Sequence, residues 1–101
     1  MELLTKELKE KFKKIWSQDW KGEEAIVIAK FFTPYNQWTW LATEYDPKSK
    51  TFFWLVKGEV EEYGYFSLKE FEEINKRSEI PLIERDIYWK EMPIKEARKY
   101  L

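Results

Sequence analysis

The chain of 101 residues contains no histidine, no cysteine and only three glycines. Without histidine, a serine or cysteine nucleophile lacks its usual base, and a zinc site of the common Cys/His type is excluded. No disulfide can form, which fits a reducing compartment. Three glycines leave no glycine-rich loop of the kind that cradles phosphate groups. These absences shift the expectation from catalysis towards binding.

Long hydrophobic runs are also missing. The chain has none of the roughly 18-residue apolar stretches that span a membrane, and its first residues lack the apolar core of a signal peptide. We therefore expect a cytoplasmic protein that does not insert into a membrane. The length predicts one domain over residues 1–101. The formal net charge of −1 gives no overall field that would attract DNA or a membrane.

Aromatic side chains are abundant, with six Trp, six Tyr and seven Phe. The apolar spacing predicts an α+β fold: an antiparallel β-meander of four to five strands, an N-terminal helix, a second helix after strand four and a short C-terminal helix. The first helix is expected over Thr5–Trp16, with Thr5 as its cap. Its buried stripe recurs at three- and four-residue spacing and comprises Leu4, Leu8, Phe12, Ile15 and Trp16.

Four strands are expected over residues 25–32, 38–45, 51–56 and 59–66. The first is apolar on both faces at its start, which indicates a central strand that is covered twice. Alternation along the second puts Trp38, Trp40, Ala42 and Glu44 on one face and Tyr45 on the other. Turn-forming residues separate the strands: Pro34 to Gln37, Asp46 to Ser49, and Lys57 with Gly58.

The second helix has the clearest local signal in the chain. Ser67 and Glu70 have the spacing of a capping box, and Leu68, Phe71 and Ile74 form the buried stripe that follows. Pro81 is expected to end this region. A last extended segment is predicted over Glu84–Lys90. Pro93 is expected to begin a short helix whose inward-facing side chains are Ile94, Ala97 and Leu101.

Six short motifs in this order resemble a bacterial family catalogued as domain-of-unknown-function family 2958: Lys30–Pro34, Trp38–Trp40, Glu44–Asp46, Phe52–Phe53, Gly64–Leu68 and Ile83–Asp86. The resemblance covers nearly the whole chain. It implies a protein of plasmids, integrative elements or phages, where such genes often lie beside antirestriction and single-strand DNA-processing genes. It implies no established reaction. Trp54 departs from the family pattern, in which a small residue is expected.

Candidate binding residues combine exposed aromatic positions with an acidic segment. Residues 59–79 hold seven Glu against two Lys and one Arg, which predicts an acidic patch for a basic partner. We expect a non-enzymatic protein that binds and masks a nuclease or another DNA-handling protein, including host-defence enzymes of the CRISPR or restriction type. The alternative is a single-strand nucleic-acid binder whose sheet aromatics stack on bases. The candidate residues are Tyr35, Trp38, Trp40, Trp54, Glu61 and Glu62.

A second set of polar residues admits two interpretations. Glu44 and Asp46, like Glu84 and Asp86, are two residues apart, so a third hypothesis gathers them around Mg²⁺ in a carboxylate–metal enzyme. The structural interpretation makes Asp46 a turn residue and expects Arg85 to be partly buried and held by a carboxylate, with Glu44 as first choice. It involves no metal or cofactor, and we favour it for this cluster: Lys30, Glu44, Asp46, Glu84, Arg85 and Asp86.

We predict that magnesium or manganese leaves the melting temperature almost unchanged. A tight metal site would stabilise the folded state by mass action and raise this temperature, and we expect no such site. Thermal melts with and without the metal check this. A rise of several degrees that disappears in Glu84→Gln or Asp86→Asn would instead support the metal site.

Overall fold

A computed structural model of the chain describes residues 2–80 and 82–101, so the expected stop at Pro81 lies outside the described residues. The architecture is α+β, as predicted. The elements in chain order are α1 (Lys6–Ile15), β1 (Ile26–Val27), β2 (Ala29–Phe32), β3 (Thr39–Asp46), β4 (Thr51–Lys57), β5 (Glu61–Ser67), α2 (Leu68–Arg77), β6 (Glu84–Arg85), β7 (Met92–Pro93) and α3 (Ile94–Ala97). Short 3₁₀ turns cover Asp19–Glu24 and Arg98–Tyr100.

Five strands form one antiparallel sheet in the order β5-β4-β3-β2-β6. Three consecutive hairpins join β2 to β5, which confirms the predicted meander. Asp46 organises the turn between β3 and β4, because one carboxylate oxygen accepts from the Lys48 N–H at 2.9 Å and the other from the Ser49 hydroxyl at 2.9 Å. The sheet therefore follows the turn chemistry of the sequence closely.

Both faces of the sheet are covered. Phe12 of α1 and Phe71 of α2 pack on one face in a cluster with Phe31, Trp40 and Phe52. The opposite face carries a smaller cluster, which includes Val27, Leu41, Leu55, Ile94 and Ala97. The C-terminal segment thus covers the second face of the sheet. Full burial of Leu41 and Ala42, which lie in the clusters on opposite faces of β3, shows that the centre of the sheet is enclosed from both sides.

The predicted first strand is divided in two. Ile28 interrupts it, and β1 leaves the main sheet to pair with β7, where Ile26 lies opposite Pro93 and Val27 opposite Met92. This two-stranded sheet fixes the C-terminal segment to the N-terminal half of the chain. The sequence does not predict this pairing, because two-residue strands leave no alternating pattern.

A register shift in β3 changes which side chains face the helices. The pairing with β4 slips between Ala42 and Glu44, so that Glu44 lies opposite Phe53 and Tyr45 opposite Phe52. Tyr45 therefore packs in the same cluster as Ala42. The predicted assignment of Tyr45 to the opposite face is wrong, because an inserted residue shifts the period-2 alternation by one.

The first two helices begin after the predicted capping residues, but two apolar residues that were expected to be buried are exposed. Thr5 caps α1 by accepting from the Leu8 N–H at 3.2 Å. Trp16 lies beyond the helix with a left-handed φ of 58° and is 77% exposed, so it does not belong to the buried stripe. Ser67 caps α2 by accepting from the Glu70 N–H at 3.2 Å. Ile74 was expected to be buried but is exposed.

The C-terminal third is less extended than predicted. Only Glu84–Arg85 of the expected segment forms a strand, because Asp86 turns the chain by accepting from the Tyr88 N–H at 2.9 Å. The C-terminal helix begins after Pro93, as predicted. Ile94 and Ala97 are fully buried in the second cluster, and Leu101 packs against it.

Gln18 is the buried polar residue on which the loop after α1 depends. Its side-chain amide donates to the Ile26 carbonyl at 2.9 Å and to the Thr43 carbonyl at 2.7 Å, while its Oε1 accepts from the Ile26 N–H at 2.6 Å. The residue is 2% exposed. One side chain therefore provides hydrogen-bond partners for three backbone groups of β1 and β3.

Replacing Ser67 with Ala should lower the free energy of unfolding by about 1 kcal/mol, because the α2 cap is lost. Ser78→Ala at the other end of the same helix is the matched control, with little expected change. Thermal and urea unfolding measure both. A Ser67→Ala protein as stable as the parent would contradict the capping role.

Gln18→Leu keeps a side chain of similar size but removes all three hydrogen bonds to the backbone. We expect a loss of about 3 kcal/mol or more, since each buried group left without a partner costs about 1–3 kcal/mol. Gln37→Leu, at an exposed turn position, should change stability little. Equal urea midpoints for the two variants would show that the Gln18 amide is dispensable.

Candidate functional site

One concave surface, the aromatic groove, lies where the β2–β3 turn, β5 and α2 meet. Its volume is about 560 Å³. Four of the six candidate binding residues line it: Tyr35, Trp38, Trp40 and Glu62. The remaining lining residues are Thr33, Asn36, Val56, Tyr63, Gly64, Tyr65, Phe66, Glu70, Phe71, Ile74, Leu82 and Ile83.

The position of Trp38 at the rim is fixed by its own turn and by the neighbouring hairpin. Asn36 accepts from the Trp38 N–H at 2.8 Å and also from the Thr33 hydroxyl. The Trp38 ring lies against Gly58, where an added Cβ would come within 2.5 Å of the ring carbons. Only glycine allows this approach without moving the ring. Trp38 nevertheless stays 42% exposed, which leaves part of its ring available to a partner.

Trp40 connects the exposed rim to the core. Its ring centroid lies 5.9 Å from that of Trp38 and 4.8 Å from that of Phe71 in an edge-on arrangement. Phe71 in turn packs against Phe66 and Phe31. The floor of the groove is therefore a rigid part of the main core, whereas Tyr35 and Trp38 stand above it.

The charge of the groove has one sign. Among the described residues that line it, the charged side chains are Glu62 and Glu70, both exposed. Carboxylates beside exposed aromatic rings suit a cationic group, because a guanidinium or ammonium can pair with the acid and lie over the ring. The groove is thus suited chemically to basic side chains.

The other two candidate binding residues, Trp54 and Glu61, lie in a separate cluster around Arg98. Arg98 Nε lies 2.8 Å from Glu23, its Nη1 lies 3.3 Å from Glu61, and its guanidinium lies 5.5 Å from the Trp54 ring centroid. Hydrogen bonding to Glu23 raises the pKa of Arg98. These contacts tie the C-terminus to β5, so Trp54 and Glu61 have a structural role here.

Four members of the predicted polar cluster do come together at the β2–β6 edge. Lys30, Glu84, Arg85 and Asp86 line a shallow cavity of about 340 Å³. Lys30 Nζ lies 3.9 Å from Asp86 and 5.8 Å from the Trp89 ring centroid. Glu44 and Asp46 do not line this cavity. In the described part of the chain, no three acidic residues are grouped so that they could hold a metal ion.

The predicted partner of Arg85 is wrong. Arg85 is half-buried, as expected, but its Nε donates to the Glu2 carbonyl at 3.2 Å, while Glu44 accepts from the Gln18 N–H at 3.1 Å. Strand pairing places Arg85 level with Trp40, whereas Glu44 lies four residues further along β3, beside the Gln18 loop. Asp46 is the turn residue of the structural interpretation, and the Lys48 N–H holds its pKa below the usual value.

The surroundings of Glu44, an acid of the predicted polar cluster, favour the protonated form of its carboxyl group. Burial raises the pKa of its carboxyl above 4.5; the Gln18 N–H opposes the shift and the neighbouring Asp19 carboxylate adds to it. It lines a small cavity with Asp19, Thr43 and Trp54. The folded protein therefore holds a proton on Glu44 at a pH where the unfolded chain has released it.

Sequence reasoning missed several residues of the groove. Tyr63, Gly64 and Tyr65 of β5 line it, as do Glu70 and Ile74 of α2. A usable signal was present, because the sequence Tyr63-Gly64-Tyr65 places two aromatics around a glycine in a strand that ends the meander. Ile74 lies at a helical position that predicts burial, and only the geometry of the groove explains its exposure.

Stability should fall as the pH rises from 4.5 to the raised pKa of Glu44, because the folded state binds the extra proton. We predict that the parent loses stability relative to Glu44→Gln over this interval, and that Asp19→Asn reduces the effect. Urea unfolding at several pH values measures it. A difference between parent and Glu44→Gln that is independent of pH would contradict this account.

In the described residues, no helix is long and apolar enough to cross a membrane. The comparison with curated proteins and the comparison with solved structures each found no match. A family model described as "Protein of unknown function (DUF2958)" matches residues 3–96, which include both walls of the aromatic groove. The chain therefore belongs to the DUF2958 family.

Proposed function

We propose that this chain is a non-enzymatic cytoplasmic protein that binds another protein through the aromatic groove. The observation that carries the proposal is the convergence of Tyr35, Trp38 and Trp40 with Glu62 and Glu70 on one concave surface. Tryptophan and tyrosine provide much of the binding energy of protein interfaces, since each buries a large rigid surface and keeps a polar group. A fixed floor and an exposed rim suit such an interface.

The proposed partner is a DNA-handling protein, such as a nuclease, whose DNA-binding surface the chain masks. Proteins that bind DNA carry lysine and arginine where the phosphates lie. The carboxylates of Glu62 and Glu70 are complementary to such a surface. The role we propose is that of a mobile-element protein which inhibits a host-defence enzyme of the CRISPR or restriction type.

The charge of the groove favours this function over single-strand nucleic-acid binding. Phosphates would be repelled by Glu62 and Glu70, and base stacking needs a basic path for the backbone. Lysines on or beside the sheet strands could contact backbone phosphates, but none of them lines the groove: Lys30, Lys48, Lys50 and Lys57. Nucleic-acid binding is therefore the competing outcome of the test below.

We predict that the parent protein captures DNA-binding proteins from a bacterial host lysate and that added DNA displaces them. Glu62→Lys should lower the capture about tenfold or more, because it places a like charge against a basic partner. Glu73→Lys is the matched control: it makes the same change of charge on exposed α2 surface outside the groove. Mass spectrometry identifies and quantifies the captured proteins.

Two results would overturn the proposal. One is equal capture by Glu62→Lys and Glu73→Lys, which would show that the groove is not the binding surface. The other is tight, salt-dependent binding of a labelled oligothymidine by the purified parent protein. This result would show that the chain binds single-stranded nucleic acid.

A further inference from the structure

We propose that the partner contributes an extended segment that pairs with the outer edge of β5 and becomes a sixth strand of the sheet. On this proposal the segment alternates basic and apolar side chains. The inference rests on the proposed function and specifies how the same site binds. It also defines the chemistry of the partner more narrowly than a basic surface does.

The outer edge of β5 is regular along its whole length. In the described part of the chain β5 pairs only with β4, and it does so in continuous register from Glu61 to Ser67. Natural edge strands are usually blunted by charged side chains, proline, a bulge or a covering element. The charges of β5 are confined to Glu61 and Glu62 at its start, and the strand contains no proline and no register shift. The strand is therefore a regular template for backbone pairing.

The aromatic groove extends from the helix-covered face to the edge of β5. Five consecutive residues, 62–66, line it. Neighbouring strand residues point to opposite faces, so a cavity that touches all five reaches around the strand edge as well as over the face that carries Trp40. Gly64 lies at the centre of this run, and no heavy atom lies within 4 Å of the position that a Cβ would take there. The space above this face of β5 is thus open at the middle of the strand.

The two faces of β5 differ in chemistry. Glu62 lies opposite Val56 and shares the helix-covered face with Trp40 and Glu70. Tyr63 and Tyr65 lie on the other face and are 60% and 77% exposed. An added strand would present alternate side chains to carboxylates and to tyrosine rings. Arginine or lysine suits the first face, and an aliphatic side chain suits the second.

Charge also decides between a partner and a second copy of this chain. Two β5 strands paired with each other would bring Glu62 of both copies onto one short ladder, whereas Glu61 is already paired with Arg98. A basic segment instead neutralises these charges. The occupant we assign is therefore a segment of another protein.

The test uses a capped synthetic heptapeptide of alternating arginine and valine, matched to the seven residues of β5. Its twin has the same side chains but N-methyl groups on alternate backbone nitrogens, which removes strand-forming donors. Fluorescence anisotropy should show that the parent protein binds the first peptide at least about tenfold more tightly than the second. Bound peptide should also slow amide exchange along β5.

Each contrary result identifies what has failed. Equal binding of the two peptides, lost in Glu62→Lys but kept in Glu73→Lys, would overturn strand addition and leave the groove as the site for a basic partner. Binding unaffected by Glu62→Lys would overturn the groove itself, and with it the proposed function. A dimer of the chain in sedimentation experiments, dissociated by the unmethylated peptide, would assign the edge to a second copy.

Discussion

Burial of the central strand on both faces is the constraint from which the rest of this structure follows. Leu41 and Ala42 of β3 are fully enclosed, one on each side of the sheet. A chain of this length can cover both faces only by using nearly all of its remaining segments, with two helices on one side and the C-terminal segment on the other. In the described part of the chain the outer edge of β5 has no strand partner, and the aromatic groove reaches it.

Local chemistry allowed most of this architecture to be predicted. The Ser67 cap, the Asp46 turn and the alternation of the strands each depend on interactions within a few residues, and the meander follows from them. The features that could not be predicted depend on contacts distant in sequence. The pairing of β1 with β7 joins residues far apart in the chain, and the contacts of Gln18 with Ile26 and Thr43 are visible only after folding.

The candidate binding residues show the same difference between local signals and contacts that are distant in sequence. Tyr35, Trp38, Trp40 and Glu62 were recognised as binding residues and lie together in the groove. Trp54 and Glu61 have the same residue types but belong to the Arg98 cluster. Residue type and strand position do not distinguish the two groups, because the difference comes from the C-terminal turn that brings Arg98 across the sheet. Strand pairing likewise separates Glu44 from Arg85, because Arg85 lies opposite Phe31 and Phe31 lies opposite Trp40, four residues before Glu44 on β3.

The junction at Ser67 has a consequence for how the protein opens. β5 ends at Ser67 and α2 begins at Leu68, so the strand and the helix that flank the groove form one uninterrupted segment. No flexible linker separates the motions of the two elements. Local unfolding that releases one will therefore release the other, and they will behave as one cooperative unit. The groove then loses β5 and α2 together and keeps only the side formed by Tyr35, Trp38 and Trp40.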